Sequence, residues 1–221
     1  MSVSLPIQTR QLPEPRAMLR LIKPITWFPP IWAYLCGSVS AGVPLSGNWG
    51  MVILGMVLAG PIVCGMSQAA NDWCDRHVDA VNEPHRPIPS GRIPGRWGLW
   101  IALAMSVLSL VLGWQLGTWG FAATVVGVLA AWAYSAEPVR LKRSGWWGPG
   151  LVGLSYEGLP WFTGAAVLLA VVEEELLQRH VAVRIAPAQV QRRAKRDQRG
   201  RTVADRAAVG DVAADGGGVA D

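Results

Sequence analysis

The chain has 221 residues, 51% of them apolar and only 16% charged, with a net charge of +5. Soluble domains carry about a quarter charged residues, so this composition excludes an ordinary soluble globular domain. Its three cysteines, Cys36, Cys64 and Cys74, lack metal-ligand spacing and read as small apolar fillers.

In chain order, residues 1–23 read as a cytoplasmic or interfacial N-terminus. No apolar run precedes Arg10, and Pro13 and Pro15 break any early helix, so no cleavable signal pattern is present. Arg16 to Lys23 suits a segment on the membrane surface, with Leu19, Leu21 and Ile22 dipping in. Residues 24–172 read as the transmembrane region. No charge occurs between Lys23 and Asp72, nor between Arg96 and Glu137. Each gap is long enough for two crossings of about 20 residues. Five spans are predicted, over about 25–42, 50–70, 99–116, 119–134 and 148–172, the last weakened by Glu157. Pro29, Pro30 and Pro61 should kink or shift the first two. The fold class is therefore all-α, a polytopic transmembrane helix bundle.

Lys and Arg cluster before the first span (Arg16, Arg20, Lys23), between the second and third (Arg76, Arg86, Arg92, Arg96), and between the fourth and fifth (Arg140, Lys142, Arg143). The turns after spans one and three carry none, so the N-terminus and both charged loops are expected in the cytoplasm. Trp27, Trp49, Trp97, Trp119, Trp146 and Trp147 fall near span ends, where amphipathic rings favour the interface.

The chemistry lies on the charged loops. Asn71, Asp75 and Asp79 are four apart each time, which stacks them on one helical face. Such a column at a span end suits Mg²⁺ shared between carboxylates and substrate phosphate. Asp72 points about a quarter-turn away, better placed to orient a ligand or reach a basic loop residue. Pro84, Pro87 and Pro89 make a stiff loop around Arg86, whose planar guanidinium suits bidentate phosphate binding; topology bias alone is the plainer reading. In an extended segment, Arg140 and Lys142 would point to one side and close over a diphosphate; topology again explains them equally.

Residues 173–221 change character. Every Trp, Tyr and Phe lies at or before Phe162, and the tail is rich in Ala, Arg, Val, Asp and Gly, with a basic run at Arg192, Arg193, Lys195 and Arg196. This suits a disordered segment: either a natural soluble extension or residues from a shifted reading frame in GC-rich DNA.

The Asn71-x3-Asp75-x3-Asp79 column, the Arg86-Pro-Ile-Pro-Ser-Gly loop and the Tyr134-Ser…Pro138…Leu141-Lys142 loop resemble the intramembrane UbiA-type prenyltransferase superfamily. The strings NDWCDRHVDAVNEPHRPIPSGR and SGWWGPGLVGLSYEGLPW are similar to those of its chlorophyll and bacteriochlorophyll synthases, over residues 15 to 169. The resemblance implies a bundle of about nine spans in a photosynthetic inner membrane. It implies esterification of the propionate of (bacterio)chlorophyllide with geranylgeranyl or phytyl diphosphate, with Mg²⁺ as cofactor. Asn71, Asp75 and Asp79 then resemble the metal motif, Asp75, Asp79 and Arg86 the catalytic set, and Arg86, Arg140 and Lys142 the diphosphate contacts. The family's second Asp-rich motif has no counterpart: Asp197, Asp205 and Asp211 lack its context. The C-terminal part of the pattern is therefore expected to be missing or frame-shifted, and turnover is not expected of this chain alone. Alternatives are a quinone, tocopherol or haem acceptor, or a non-catalytic pigment- or lipid-binding fragment. His77 and His85 read as ordinary loop histidines, with ligation of a chlorin magnesium as the alternative.

Overall fold

The computed structural model describes residues 12–181 and Arg196. The chain divides into two units, Met1–Val171 and Val172–Asp221. Within the second, residues 172–181 are helical, so helix continues past the boundary expected at Glu173. The rest of the tail, with Arg192, Arg193, Lys195, Asp197, Asp205 and Asp211, lies outside the described residues. Among the described residues there is no strand.

Helix α1, Pro15–Leu21, opens on a proline, whose fixed φ suits a first helical turn. Ala17 and Leu21 are fully buried in a core with Met66, Ala69, Ala70, Ile93, Ala102 and Val128. Leu21 therefore packs into protein instead of dipping into lipid, while Leu19 faces outward. The Glu14 N–H donates to the Arg92 carbonyl at 3.1 Å, tying this segment to the Arg86 loop.

Lys23 adopts a left-handed conformation (φ 45°) and Pro24–Thr26 form a 3-10 turn. Helix α2, Phe28–Ser40, thus begins later than predicted, with its prolines in the first turn. There Pro29 and Pro30 start the helix without kinking it. Its 13 residues reach only about 20 Å, short of a bilayer core of about 30 Å. Among the described residues, four helices are long and apolar enough to cross a membrane: α3 Trp49–Asn82, α4 Trp97–Gln115, α5 Gly117–Ser135 and α6 Trp147–Val181. The five predicted spans correspond to these four and the shorter α2. Tryptophan opens α3, α4 and α6, as an interfacial residue should.

Pro61 lies in a π-helical segment of α3, Leu58–Cys64. A proline frees a backbone carbonyl, and a widened turn accommodates the change without ending the helix. A second π segment, Leu154–Gly158, lies in α6. Helix α4 packs on α3 and α5, and Gly117 (φ 74°) makes the tight turn between α4 and α5. Ser38, Ser106, Ser109, Thr124 and Thr163 return their hydroxyls to carbonyls four residues back, so these buried polar groups are satisfied within their own helices.

Candidate functional site

Helix α3 carries the acidic column beyond the apolar span, as predicted, through its last four turns. Asp75 accepts from Arg140 Nη2 at 2.8 Å and from Lys142 Nζ at 2.6 Å. Lys142 Nζ also donates to Asn71 Oδ1 at 2.8 Å, and the Ser135 hydroxyl reaches the same oxygen at 3.3 Å. One turn on, Asp79 accepts from Arg86 Nη1 at 3.0 Å. The structure therefore brings all six predicted site residues to one end of the bundle.

The two loops present their cations differently from the expectation. The Pro84–Arg92 segment is a chain of turns without helix, as its prolines require. Glu83 accepts from Arg86 Nε at 2.6 Å and so fixes the guanidinium plane. That hydrogen bond and charge hold the Glu83 carboxyl below its ordinary value. The second loop is not extended. Arg140 is left-handed (φ 35°), and Leu141–Arg143 form a 3-10 turn, so the alternation argument fails although both cations still converge on Asp75. Glu137 accepts from Arg140 and Arg143, each at 2.9 Å. The Arg140 hydrogen bond draws its carboxyl below the ordinary value.

Asp72 proves more central than its helical phase suggested. Its side chain is 2% exposed, and Oδ1 meets Lys23 Nζ at 2.7 Å and Arg86 Nη1 at 3.5 Å. It reaches the basic loop, as one of its two expected roles required. Lys23 was read only as a topology residue; its left-handed backbone ahead of Pro24, which turns it toward Asp72, leaves no sequence signal. Asp72 Oδ2 and Arg140 Nε are buried without a partner. His77 and His85 are exposed.

Behind the column lies an apolar cavity of about 240 Å³, reaching from Asn71 and Tyr134 between α2, α3, α5 and α6. Small or apolar side chains such as Ala59, Val63, Gly127 and Leu159 dominate its wall. Tyr156, part of the SGWWGPGLVGLSYEGLPW string but given no role of its own by the sequence, meets Gln68 there: Gln68 Nε2 donates to the Tyr156 hydroxyl at 2.7 Å.

Among the described residues, no three His, Cys, Asp or Glu side chains converge to hold a metal ion unaided. The donors present are two carboxylates and an amide oxygen on one helical face. Such hard oxygens fit Mg²⁺, which binds through one or two carboxylates and completes its shell with water and phosphate oxygens. The adjacent cations fit the phosphate.

The structure is thus a helical bundle with a paired acidic and basic cluster over an apolar cavity. The UbiA prenyltransferase family profile matches residues 27–183, and the chain belongs to that family. It is 80% identical over 164 residues to the bacteriochlorophyll synthase 33 kDa chain of Rhodobacter capsulatus, covering 74% of this chain and 54% of that protein. It is 40% identical over 161 residues to the chloroplastic chlorophyll synthase of Oryza sativa, covering 67% and 42%. The solved structure of a UbiA homolog from Archaeoglobus fulgidus bound to GPP and Mg2+ superposes with a TM-score of 0.59 at 23% identity, covering 68% of this chain and 53% of that one. The chain thus spans about half the length of the relatives it matches. It is a multi-pass membrane protein of the UbiA prenyltransferase family.

Proposed function

We propose that this chain carries the prenyl-diphosphate half of a site that esterifies the propionate of (bacterio)chlorophyllide with a geranylgeranyl or phytyl group. The observation that carries the reading is the cluster of Asn71, Asp75 and Asp79 with Arg86, Arg140 and Lys142 at the polar end of an apolar cavity. The 80% identity to a bacteriochlorophyll synthase supports the acceptor.

The diphosphate lies among Arg86, Arg140 and Lys142, and the prenyl chain descends into the cavity. Asn71, Asp75 and Asp79 would hold Mg²⁺, which when bound neutralises diphosphate charge. Asp75 and Asp79 would hold it with the oxygens that now accept from Arg140, Lys142 and Arg86, and these three cations donate to phosphate oxygens. The allylic C–O bond breaks with its electron pair leaving on the diphosphate oxygen. The propionate oxygen of the chlorin forms the new C–O bond. A carboxylate is ionised at neutral pH, so no strong base is needed. Preorganised cations around the leaving anion supply the electrostatic part of catalysis. The shared position of the N-terminal segment and both basic loops at one end supports a cytoplasmic site under the positive-inside rule, in a photosynthetic inner membrane.

The test incubates membranes holding the chain with Mg²⁺, labelled geranylgeranyl diphosphate and bacteriochlorophyllide. Label should be retained in a Mg²⁺-dependent manner, be released by EDTA, and be lost with Asp75→Ala. Label in extracted pigment adds the transfer step. Retention that ignores both Mg²⁺ and Asp75 overturns the site, and label passing to hydroxybenzoate but not to pigment overturns the acceptor.

A further inference from the structure

The two π segments meet at the cavity wall. Leu58–Cys64 ends on Cys64 and Leu154–Gly158 contains Tyr156, and the Cys64 thiol donates to the Tyr156 hydroxyl at 3.5 Å. Such widened turns break helical periodicity and recur at functional sites. Gln68 Nε2 donates to the same hydroxyl at 2.7 Å. Cys64 Sγ is fixed in turn against the Thr26 hydroxyl at 3.3 Å. The phenol is therefore held by groups from α3, in a wall that small and apolar side chains dominate but that Tyr34, Ser67 and Tyr134 also line.

Its depth is set by the helix that grips it. Gln68 precedes Asn71 by three residues on α3, about 4.5 Å along the axis at 1.5 Å per residue. Both side chains line the same cavity. In an allylic diphosphate the reactive carbon is two bonds from phosphorus. With phosphate at the level of Asn71, that carbon falls between the levels of Asn71 and Gln68, and the prenyl carbons that follow it pass Gln68 and Tyr156. Gln68 Nε2 donates to the phenol oxygen, while the Cys64 thiol divides its single proton between that oxygen and the Thr26 carbonyl at 3.4 Å. An aromatic π face attracts positive charge.

We infer that Tyr156 forms the wall against which the allylic head of the prenyl diphosphate lies, and that Gln68 is a positioning residue acting through it. This deepens the diphosphate reading above and rests on it.

The experiment uses the full chain in lipid nanodiscs with Mg²⁺, and measures calorimetric binding of two probes, geranylgeranyl diphosphate and inorganic diphosphate. Tyr156→Leu should weaken the prenyl probe roughly three- to tenfold and leave inorganic diphosphate unchanged, which also shows that the variant is folded. Tyr156→Phe should retain prenyl binding within about twofold, since the ring remains. Gln68→Leu should weaken the prenyl probe no more than Tyr156→Phe does, within that twofold, and add nothing to it in the double variant, the signature of action through the hydroxyl. Intact inorganic diphosphate binding, with Tyr156→Leu binding the prenyl probe as tightly as the native chain, overturns this inference alone. Equal weakening of both probes by Tyr156→Leu also overturns it. A native chain that binds neither probe overturns the diphosphate reading, and this inference with it.

Discussion

Arg86 and Arg92 sit six residues apart on one proline-rich loop and do different work. Arg86 is held by Glu83, Asp79 and Asp72. Arg92 spends its hydrogen bonds on the Ser90 hydroxyl and the His85 carbonyl. Lysine keeps charge but not the planar fork. Arg86→Lys should therefore weaken Mg²⁺-dependent binding of geranylgeranyl diphosphate by about tenfold, while Arg92→Lys stays near native; equal effects would reduce Arg86 to a topology residue. Glu83 gives a pH test. Its carboxyl is held below the ordinary value of 4.5 by the Arg86 hydrogen bond. A depressed carboxylate stabilises the fold above its unfolded value and loses that contribution as pH falls through the folded one. Thermal midpoints of the native chain and Glu83→Gln should therefore differ at neutral pH and converge below about pH 4.5. At this scale spacing put Asn71, Asp75 and Asp79 on one face and loop stiffness picked out Arg86; Arg140 and Lys142 rested on an alternation that the 3-10 turn does not uphold, although both meet Asp75. The sequence hid Lys23 and Asp72, because their meeting depends on a left-handed backbone and a contact 49 residues apart.

The helices were legible as apolar runs, but their ends and crossings were not. Run length marked α3 to α6. The first run overstated α2, because the Lys23–Thr26 turn takes up residues that hydropathy assigns to a span. The α2–α6 crossing is set by two glycines. A Cβ on Gly37 would strike the Trp161 backbone, and one on Gly164 the Tyr34 and Ser38 backbones. Small residues permit such close approach between membrane helices. Gly37→Ala should cost about 1–3 kcal/mol, as overpacking does, because backbone cannot swing aside as a side chain can. Gly50, in the first turn of α3, has open space where its Cβ would be, so Gly50→Ala should be neutral or slightly stabilising. Thermal unfolding in one detergent compares them directly. An unchanged Gly37→Ala midpoint would mean that the crossing can shift.

For the molecule as a whole, orientation follows from cations concentrated at one end. With native cysteines replaced by alanine, Ser90→Cys should react with a membrane-impermeant maleimide from the cytoplasmic side only, and Ser46→Cys from the opposite side only. Both positions are exposed, on the basic loop and on the turn between α2 and α3 respectively. Labelling of both from one face would reject the topology. The architecture was readable because lipid imposes one strong rule, that charge must leave long stretches of chain. The cavity was not, since its wall joins residues from four helices that share no local pattern.

The ion pairs around the column join five carboxylates, Asp72, Asp75, Asp79, Glu83 and Glu137, to five cations, Lys23, Arg86, Arg140, Lys142 and Arg143. These ten charges cancel among themselves, while Arg16, Arg20, Arg76, Arg92 and Arg96 beyond them leave the same segments net positive. The outer charge can draw an anion inward, but recognition waits for contact, when partners are traded. Here, capture is governed by how readily paired side chains let go of one another.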